Sequence, residues 1–186
     1  IIKKIIEKKK YSSYLEIGCF EDKTFNKINI DKKVGVDPNS GGNIRLTSDN
    51  FFKINKDTFD IIFIDGLHTY DQVKRDITNS LNALNKNGTL LLHDCLPKKV
   101  RDQASPRAHD HWNGDVWKAL VECRTLKDID TYTCFADEGI GVIYKRPNQN
   151  ILKLNCKNFK KIKFKDYYYN YKEYMNLVDV KDLLSM

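Results

Sequence analysis

Apolar and polar residues alternate in distinct blocks along this chain, and the clearest pattern spans residues 59–94. Phe59–Ile64 is an almost unbroken apolar run, which is typical of a strand buried on both faces of a parallel sheet. Apolar residues then recur at helical spacing over residues 73–84, so a crossover helix is predicted there. Residues 89–93 form the next apolar run. The pattern therefore predicts a strand, a helix and a second strand.

Blocks on either side of this unit predict the rest of a doubly wound α/β sheet that is mostly parallel. We expect a first helix over residues 1–10, strands at residues 14–17, 33–37 and 44–47, and helices that begin near Ser48 and Asp115. Two more strands, at residues 131–135 and 140–144, are separated by a tight acidic turn. They should pair as a C-terminal antiparallel hairpin that closes the sheet.

Length and composition fit a globular protein with one main domain. The chain has 186 residues, 41% of them hydrophobic and 31% charged, which is enough for a core of its own. We expect a domain over residues 1–148 and a Lys- and Tyr-rich extension with a terminal helix over residues 149–186. This extension could join a homo-oligomer or a neighbouring domain. The first residue is Ile rather than Met, so we expect a fragment of a longer protein or the loss of a disordered start.

Charge and cysteine usage narrow the partners and the compartment. The net charge of +7 suggests an anionic partner, but the excess is mostly Lys and Arg is scarce, so no nucleic-acid partner is expected. No apolar run approaches the roughly 18 residues of a membrane span, and the first ten residues lack the features of a signal peptide. Five widely spaced cysteines without a CxxC pair argue against zinc and disulfides, so we expect a cytoplasmic protein.

Acidic residues stand where the predicted strands end. Asp37, Asp65 and Asp94 each follow an apolar run, and ligands bind in the crevice beyond the carboxyl ends of parallel strands. Asp37 lies nineteen positions after Gly18, which matches the acidic residue that binds ribose hydroxyls in dinucleotide folds. Its alternative role is an ordinary turn before Pro38. The sequence therefore predicts a ligand site at this edge of the sheet.

The same residues carry a family resemblance. Glu16-Ile17-Gly18, then Asp37, Asp65 and Asp94, together with the phrases IDGLHTYDQVKRDI and NGTLLLHDC, resemble class I S-adenosylmethionine-dependent methyltransferases. Within that class the chain is similar to small O-methyltransferases that act on sugar hydroxyls in natural products and surface glycans. The resemblance covers roughly residues 12–145. It implies a Rossmann-like methyltransferase fold, S-adenosylmethionine as cofactor and a sugar or glycan acceptor.

The resemblance also implies a set of site residues. The residues expected to bind the cofactor are Glu16, Gly18, Cys19, Phe20, Asp37, Pro38, Ser48, Asp49, Asp65 and Gly66. The residues expected to be catalytic are His68, as general base, with Asp65 and His93. Asp65 and Asp94 are the expected ligands of Mg²⁺, a hard cation that prefers oxygen. The loop after Gly18 departs from the family pattern, because it carries only one glycine.

Other functions stay open on the sequence alone. His68 could be a loop residue that only packs, and the two aspartates could simply hold their loops. The polar stretch at residues 96–114 is unusually long for a connection, and its residues His109, Asp110, His111 and Trp112 are expected to form a lid over the acceptor. The acceptor could instead be a nucleotide or another small metabolite. The one-glycine loop also keeps a catalytically inactive binding module as an alternative.

Overall fold

A seven-stranded sheet runs through the molecule in a computed structural model that describes residues 1–186. Its strands are β1 (Ser13–Ile17), β2 (Lys32–Val36), β3 (Phe59–Ile64), β4 (Leu84–Leu92), β5 (Asp130–Cys134), β6 (Ile140–Tyr144) and β7 (Leu177–Val178). The order across the sheet is β2-β1-β3-β4-β6-β5-β7. β1 to β4 are parallel, and β6 runs antiparallel to both β4 and β5. The predicted doubly wound sheet with its closing hairpin is confirmed.

Helices cover both faces of this sheet. They are α1 (Ile2–Lys9), α2 (Ser48–Ile54), α3 (Tyr70–Ala83), α4 (Val116–Cys123), α5 (Phe164–Met175) and α6 (Val180–Ser185), with short 3₁₀ turns at Phe25–Lys27 and Phe159–Lys161. Buried residues of α3, α4 and α5 belong to one core cluster. Buried residues of α1 and α6 belong to the other. None of these helices has the length and apolar character that crossing a bilayer would require.

The apolar run of β3 is explained by its place between the two cores. Ile62 and Ile64 belong to the cluster on the α3 side, and Ile61 and Phe63 belong to the cluster on the α1 side. Alternate residues of a strand point to opposite faces, so the central part of a strand between two cores is apolar on both sides. Asp60, near the start of the strand, accepts hydrogen bonds from the N–H groups of Ser12 and Ser13, and the first polar residue after Ile64 is Asp65.

The structure corrects two local predictions. Residues 44–47 form no strand, because only Ile44 makes an isolated bridge to Val36. Two glycines with positive φ, Gly41 and Gly42, turn the chain sharply just before it, and the chain then enters α2. β4 also starts at Leu84, earlier than the predicted residue 89, because the chain becomes extended there and pairs with β3 through a bulge.

Residues 149–186 pack onto the same sheet. The Tyr167 ring of α5 lies against Trp117 of α4 with the centroids 4.5 Å apart. β7 adds two residues beside β5, and α6 packs near α1, where Lys9 Nζ donates to the Met186 carbonyl at 2.9 Å. All five cysteines are free thiols.

Candidate active site

The carboxyl ends of neighbouring strands meet at one edge of the sheet. The Gly18 N–H donates to Val36 O at 2.8 Å, and the Asp65 N–H donates to Ile17 O at 2.8 Å. The His93 N–H donates to Ile64 O at 3.0 Å. These bonds extend the ladder by one residue past each strand. They place Gly18, Asp65 and His93 side by side, as expected for ligand sites in open parallel sheets.

Four side chains from two of these strand ends converge. Asp65 Oδ1 lies 3.3 Å from His68 Nε2 and 3.3 Å from His93 Nδ1. Asp94 Oδ2 lies 3.2 Å from His68 Nδ1 and 3.3 Å from His93 Nδ1. Each histidine therefore bridges both carboxylates. We call Asp65, His68, His93 and Asp94 the acid–histidine cluster.

A backbone turn lets His93 and Asp94 face the same cluster. Neighbouring residues within a strand point to opposite faces, but β4 ends at Leu92. Asp94 then adopts a φ of 59°, in the left-handed region that short polar residues tolerate better than most. This turn brings its carboxylate back towards His93, so two consecutive residues can act together.

His68 is held in place by the loop that precedes α4. Its ring stacks on Trp112, with centroids 5.3 Å apart, and its Nδ1 lies 3.2 Å from Trp112 O. Gly114 packs directly against its backbone at a φ of 63°, where an added Cβ would lie only 1.8 Å from His68 O. The Asp115 side chain caps α3 instead of α4, because its Oδ1 accepts the Tyr70 N–H at 2.5 Å. Residues 112–115 thus fix the loop that carries His68.

Two residues that sequence reasoning missed complete the surroundings of the cluster. Asn113 is fully buried, and its Nδ2 donates to Asp94 Oδ1 at 2.8 Å. Asp137, in the turn between β5 and β6, places Oδ2 3.1 Å from His93 Nε2. Asp102, also buried, accepts the N–H groups of Asn113 and Gly114 on its carbonyl. The sequence signals are general ones: polar residues are dense in residues 96–114, which include Asn113, and Asp137 lies in the acidic turn between the last two predicted strands.

The charged groups of the cluster shift one another's pKa values. Burial alone would lower the pKa of His93, but hydrogen bonds to Asp65 and Asp94 outweigh it and raise that pKa to about 11. Burial is likewise outweighed at His68, whose pKa is raised by Asp65 and Asp94. Burial would raise the pKa of Asp65, yet the two histidines lower it. An imidazole must lose its proton before it acts as a base, so these contacts oppose that role for His68 at neutral pH.

The residue that follows β2, Asp37, organises the loop after β1. The carboxylate of Asp37 is buried and accepts the backbone N–H groups of Phe20 at 3.0 Å, Asn39 at 2.8 Å and Ser40 at 3.0 Å. Burial opposes ionisation of Asp37, but these bonds prevail and lower its pKa. The structure therefore brings Asp37 beside the Gly18 loop. Pro38, which follows, is exposed.

The remaining residues predicted to bind the cofactor lie in two places, some near Gly18 and the others at the start of α2. Cys19 is buried, whereas Phe20 is exposed and has a φ of 45°. Gly18 has a φ of 88°, and a Cβ there would lie 2.2 Å from the backbone oxygen of Asp65, so the two chain segments touch; Gly66 follows in the same segment. Ser48 and Asp49 are at the start of α2, where their side chains contact Gln72 of α3 at 3.1 Å and 3.2 Å. No hydrogen bond links them to the Gly18 loop or to the side chain of Asp37.

Glu16 is an unusual carboxyl group on β1. Its side chain is 2% exposed and accepts a hydrogen bond from the Tyr14 hydroxyl. Burial, reinforced by the nearby charge of Asp65, raises its pKa to about 7 in spite of the Tyr14 bond. At neutral pH this carboxyl is therefore poised between its two protonation states.

Two cavities open beside the acid–histidine cluster. One is a cleft of about 690 Å³ lined by Asp65, His93, Asp137, the turn at residues 24–28 and the first turns of α1. The other is a pocket of about 750 Å³ lined mostly by aromatic and apolar residues. Asp137 lines both, so it forms part of the wall between them.

Part of the chain is similar to a known family of domains. Residues 15–95 match the family model described as "Methyltransferase domain". No curated protein is similar enough in sequence to match the chain.

Solved structures share this fold at low sequence identity. SAH-bound Podospora anserina methyltransferase PaMTH1 is 17% identical, with 76% of this chain and 74% of that chain covered and a TM-score of 0.54. An O-methyltransferase from Bacillus cereus in complex with SAH is 9% identical, with 76% and 77% covered and a TM-score of 0.56. The MycE methyltransferase of mycinamycin biosynthesis, in complex with Mg, SAH and mycinamycin VI, is 13% identical, with 83% and 50% covered and a TM-score of 0.50. The matched domain over residues 15–95 supports methyl transfer from S-adenosylmethionine, and the solved structures show that the chain has the fold of such enzymes.

Proposed function

We propose that this chain is an O-methyltransferase that methylates a hydroxyl of a sugar or glycan. The observation that carries the proposal is the acid–histidine cluster at the strand ends, next to a cleft of about 690 Å³. A hydroxyl is a poor nucleophile until its proton leaves, so a hydroxyl acceptor needs proton-handling or charged groups beside it. A neutral amine attacks without that help. The cluster therefore favours an oxygen acceptor.

The strand ends offer the groups that the cofactor needs. S-adenosylmethionine supplies an electrophilic methyl group on a positively charged sulfonium. Glu16 and Asp65 place two buried or half-buried carboxyl groups close enough to influence each other, and a cationic ligand would relieve that repulsion. Asp37 is held ionised beside the Gly18 loop, where a carboxylate can accept hydrogen bonds from ribose hydroxyls. Binding at this edge would keep the cofactor next to the cluster.

The histidines are the groups in reach of the acceptor proton. His68 is held by Trp112 and the backbone of Asp115, so its ring has a defined position. His93 lines the cleft and reaches Asp137 with its second nitrogen. We assign proton transfer from the acceptor hydroxyl to the neutral form of His68, with Asp65 and His93 orienting it. Because Asp65 and Asp94 raise the pKa of His68, this step should become faster as the pH rises. Holding the two reactants in line supplies much of the rate in such transfers.

The cluster also fits a divalent cation. Ligand atoms of Asp65, His68 and Asp94 all lie within 4.8 Å of one another. Two carboxylates suit Mg²⁺, and an added imidazole would also suit transition metals. We propose that Asp65 and Asp94 hold Mg²⁺, with His68 near by. Such an ion would polarise the acceptor oxygen and ease loss of its proton. His93 contacts the same two oxygens, so it would compete with a cation for them.

Calorimetry and a methyl-transfer assay test the proposal. The wild-type chain should bind S-adenosylmethionine in the micromolar range and methylate hydroxyls in a panel of glycosides, with loss of activity in EDTA and recovery with Mg²⁺. Asp65→Asn should lower the rate by about a hundredfold or more, as loss of a group that assists catalysis does. Asp57→Asn is the matched control, since Asp57 is an exposed carboxylate paired with Lys32.

Each part of the proposal has its own failing outcome. Absence of cofactor binding would favour a binding module that has lost catalysis. Methylation of amines or nucleotides, but not of sugar hydroxyls, would overturn the acceptor class. Full activity in EDTA would overturn the role of Mg²⁺ while leaving the O-methyltransferase assignment intact.

The free cysteines support the cytoplasm as the proposed compartment.

A further inference from the structure

The pocket of about 750 Å³ next to the cluster is built by three separate segments. They are the start of the loop after β4, the turn between β5 and β6, and one face of α5. Its lining residues are Leu96, Pro97, Lys98, Phe135, Ala136, Asp137, Tyr167, Tyr168 and Tyr171. We call this the aromatic pocket. Its volume lies within the range of about 300–1,000 Å³ that is typical of small-molecule sites.

Backbone hydrogen bonds connect the aromatic pocket rigidly to the cluster. Cys95 N donates to Gly139 O at 3.0 Å, and Leu96 N donates to Glu138 O at 2.9 Å. These bonds tie the segment directly after Asp94 to the β5–β6 turn. The same turn carries Asp137, whose carboxylate contacts His93. A molecule in the aromatic pocket would therefore lie one side chain away from the cluster.

The pocket leaves aromatic surface facing water. The side chain of Phe135 is 68% exposed and that of Tyr168 is 57% exposed, although both are large and apolar over most of their surface. Tyr167 behind them is buried and packs at a tilt against Trp117, so the inner wall rests on the core. Exposed aromatic groups on a firm concave support are a common mark of a binding site.

Polar groups stand at the edge of this aromatic surface. Asp137 offers carboxylate oxygens, Lys98 an ammonium group, and the tyrosines their hydroxyls. A sugar ring matches this mixture, because its faces carry C–H groups and its rim carries hydroxyls. A plain hydrocarbon would leave the polar groups unused, and a strongly charged ligand would find too few partners.

We propose that the aromatic pocket binds a neutral sugar ring of the acceptor, so that a neighbouring hydroxyl reaches the acid–histidine cluster. The inference rests on the proposed function for its catalytic meaning, but binding to the pocket can be measured without catalysis. The aromatic side chains contact the faces of the ring, and Asp137 and Lys98 accept and donate hydrogen bonds at its rim. Residues 149–186 then contribute acceptor specificity through α5.

Adjacent tyrosines on α5 provide a matched test. Tyr168 lines the pocket, whereas Tyr169 is 73% exposed and does not line it. We would titrate methyl glycosides of hexoses and 6-deoxyhexoses, with phenol for comparison, into the wild-type chain and the variants Tyr168→Ala, Tyr168→Phe and Tyr169→Ala. Binding is followed by ligand-detected NMR in the presence of S-adenosylhomocysteine, whose own affinity is measured separately by calorimetry.

The expected result is a selective loss. Tyr168→Ala should weaken glycoside binding about five- to tenfold, the value for loss of one well-placed aromatic contact, while Tyr168→Phe and Tyr169→Ala stay within about twofold of wild type. Equal effects of the two alanine variants, preference for phenol, or no glycoside binding up to about 50 mM would overturn the proposal. If S-adenosylhomocysteine fails to bind but the Tyr168 effect persists, the proposed function fails and the pocket assignment stands.

Discussion

Binding of S-adenosylmethionine at neutral pH should release a proton from Glu16. The cofactor would bring a positive charge to the end of β1, where the Glu16 carboxyl is buried and has a pKa of about 7. A positive charge near by favours the ionised form and lowers that pKa. The group that was half protonated in the free protein should therefore ionise fully in the complex.

The size of the effect follows from the pKa. At pH 7 about half a proton per molecule should be released, at pH 6 about 0.9, and at pH 8.5 almost none, if the pKa falls back towards its ordinary value of 4.5. Because proton release and affinity are linked, the dissociation constant should fall about tenfold between pH 6 and pH 8. Above pH 8 the affinity should no longer depend on this group.

Calorimetry in buffers with different ionisation enthalpies measures the released protons directly. The slope of the observed binding enthalpy against the buffer ionisation enthalpy gives their number. Glu16→Gln isolates the contribution of this residue, since the variant cannot release a proton there. An unchanged proton count in Glu16→Gln, or an affinity independent of pH in wild type, would refute the reasoning.

Glu16→Gln should also remain folded, which makes it a usable control. The folded-state pKa of Glu16 is raised, so its contribution to stability is fully present below pH 4.5 and is lost as the pH rises through about 7. The loss amounts to at most about 3 kcal/mol at pH 8. Glutamine resembles the protonated form, so thermal unfolding at pH 8 should show the variant to be at least as stable as wild type.

Two further predictions concern stability. Burial raises the pKa of Asp76 to about 6, and the Oδ2 atom of Asp76 has no hydrogen-bond partner. The contribution of Asp76 to the free energy of unfolding is therefore present below about pH 4 and is lost as the pH rises through 6. Asp76→Asn should therefore raise the free energy of unfolding in urea by about 1–3 kcal/mol at pH 8 and have little effect at pH 4, and equal stability at pH 8 would contradict this. Asp115→Ala should cost about 1–2 kcal/mol because the Tyr70 N–H loses its cap, while Asp115→Asn should recover most of it; equal losses in the two variants would exclude capping.

The central sheet could be predicted because burial on both faces leaves a direct mark on the sequence. Residues 61–64 are all apolar, since they supply both cores. Residues 44–47 carry no such mark. Their path depends on the turn at Gly41 and Gly42 and on α2, so local β-propensity was not enough to make a strand. At the start of β4 the difference has the opposite sign, because Leu84 pairs with Phe59 of β3 before the residue at which the strand was predicted to begin.

The candidate site could likewise be predicted only in part from the sequence. Asp65 and Asp94 could be placed together from the sequence because strand ends in a parallel sheet meet at one edge. Asn113 and Asp137 could not, because they reach Asp94 and His93 across separations of 19 and 44 residues through loops that show no periodicity. Their positions depend on tertiary packing, in particular on Asp102 and on the turn between β5 and β6.

The two outer strands of the sheet bear on how the protein behaves at high concentration. A long uncovered strand edge offers unpaired N–H and C=O groups that a second molecule can extend by intermolecular strand pairing. Here the β2 edge carries Lys32 and Lys33 and meets the bridge at Ile44. The β5 edge is covered by only two residues of β7. Aggregation during folding should therefore start from β5 whenever β7 detaches, which makes the short contact of β7 a safeguard of solubility.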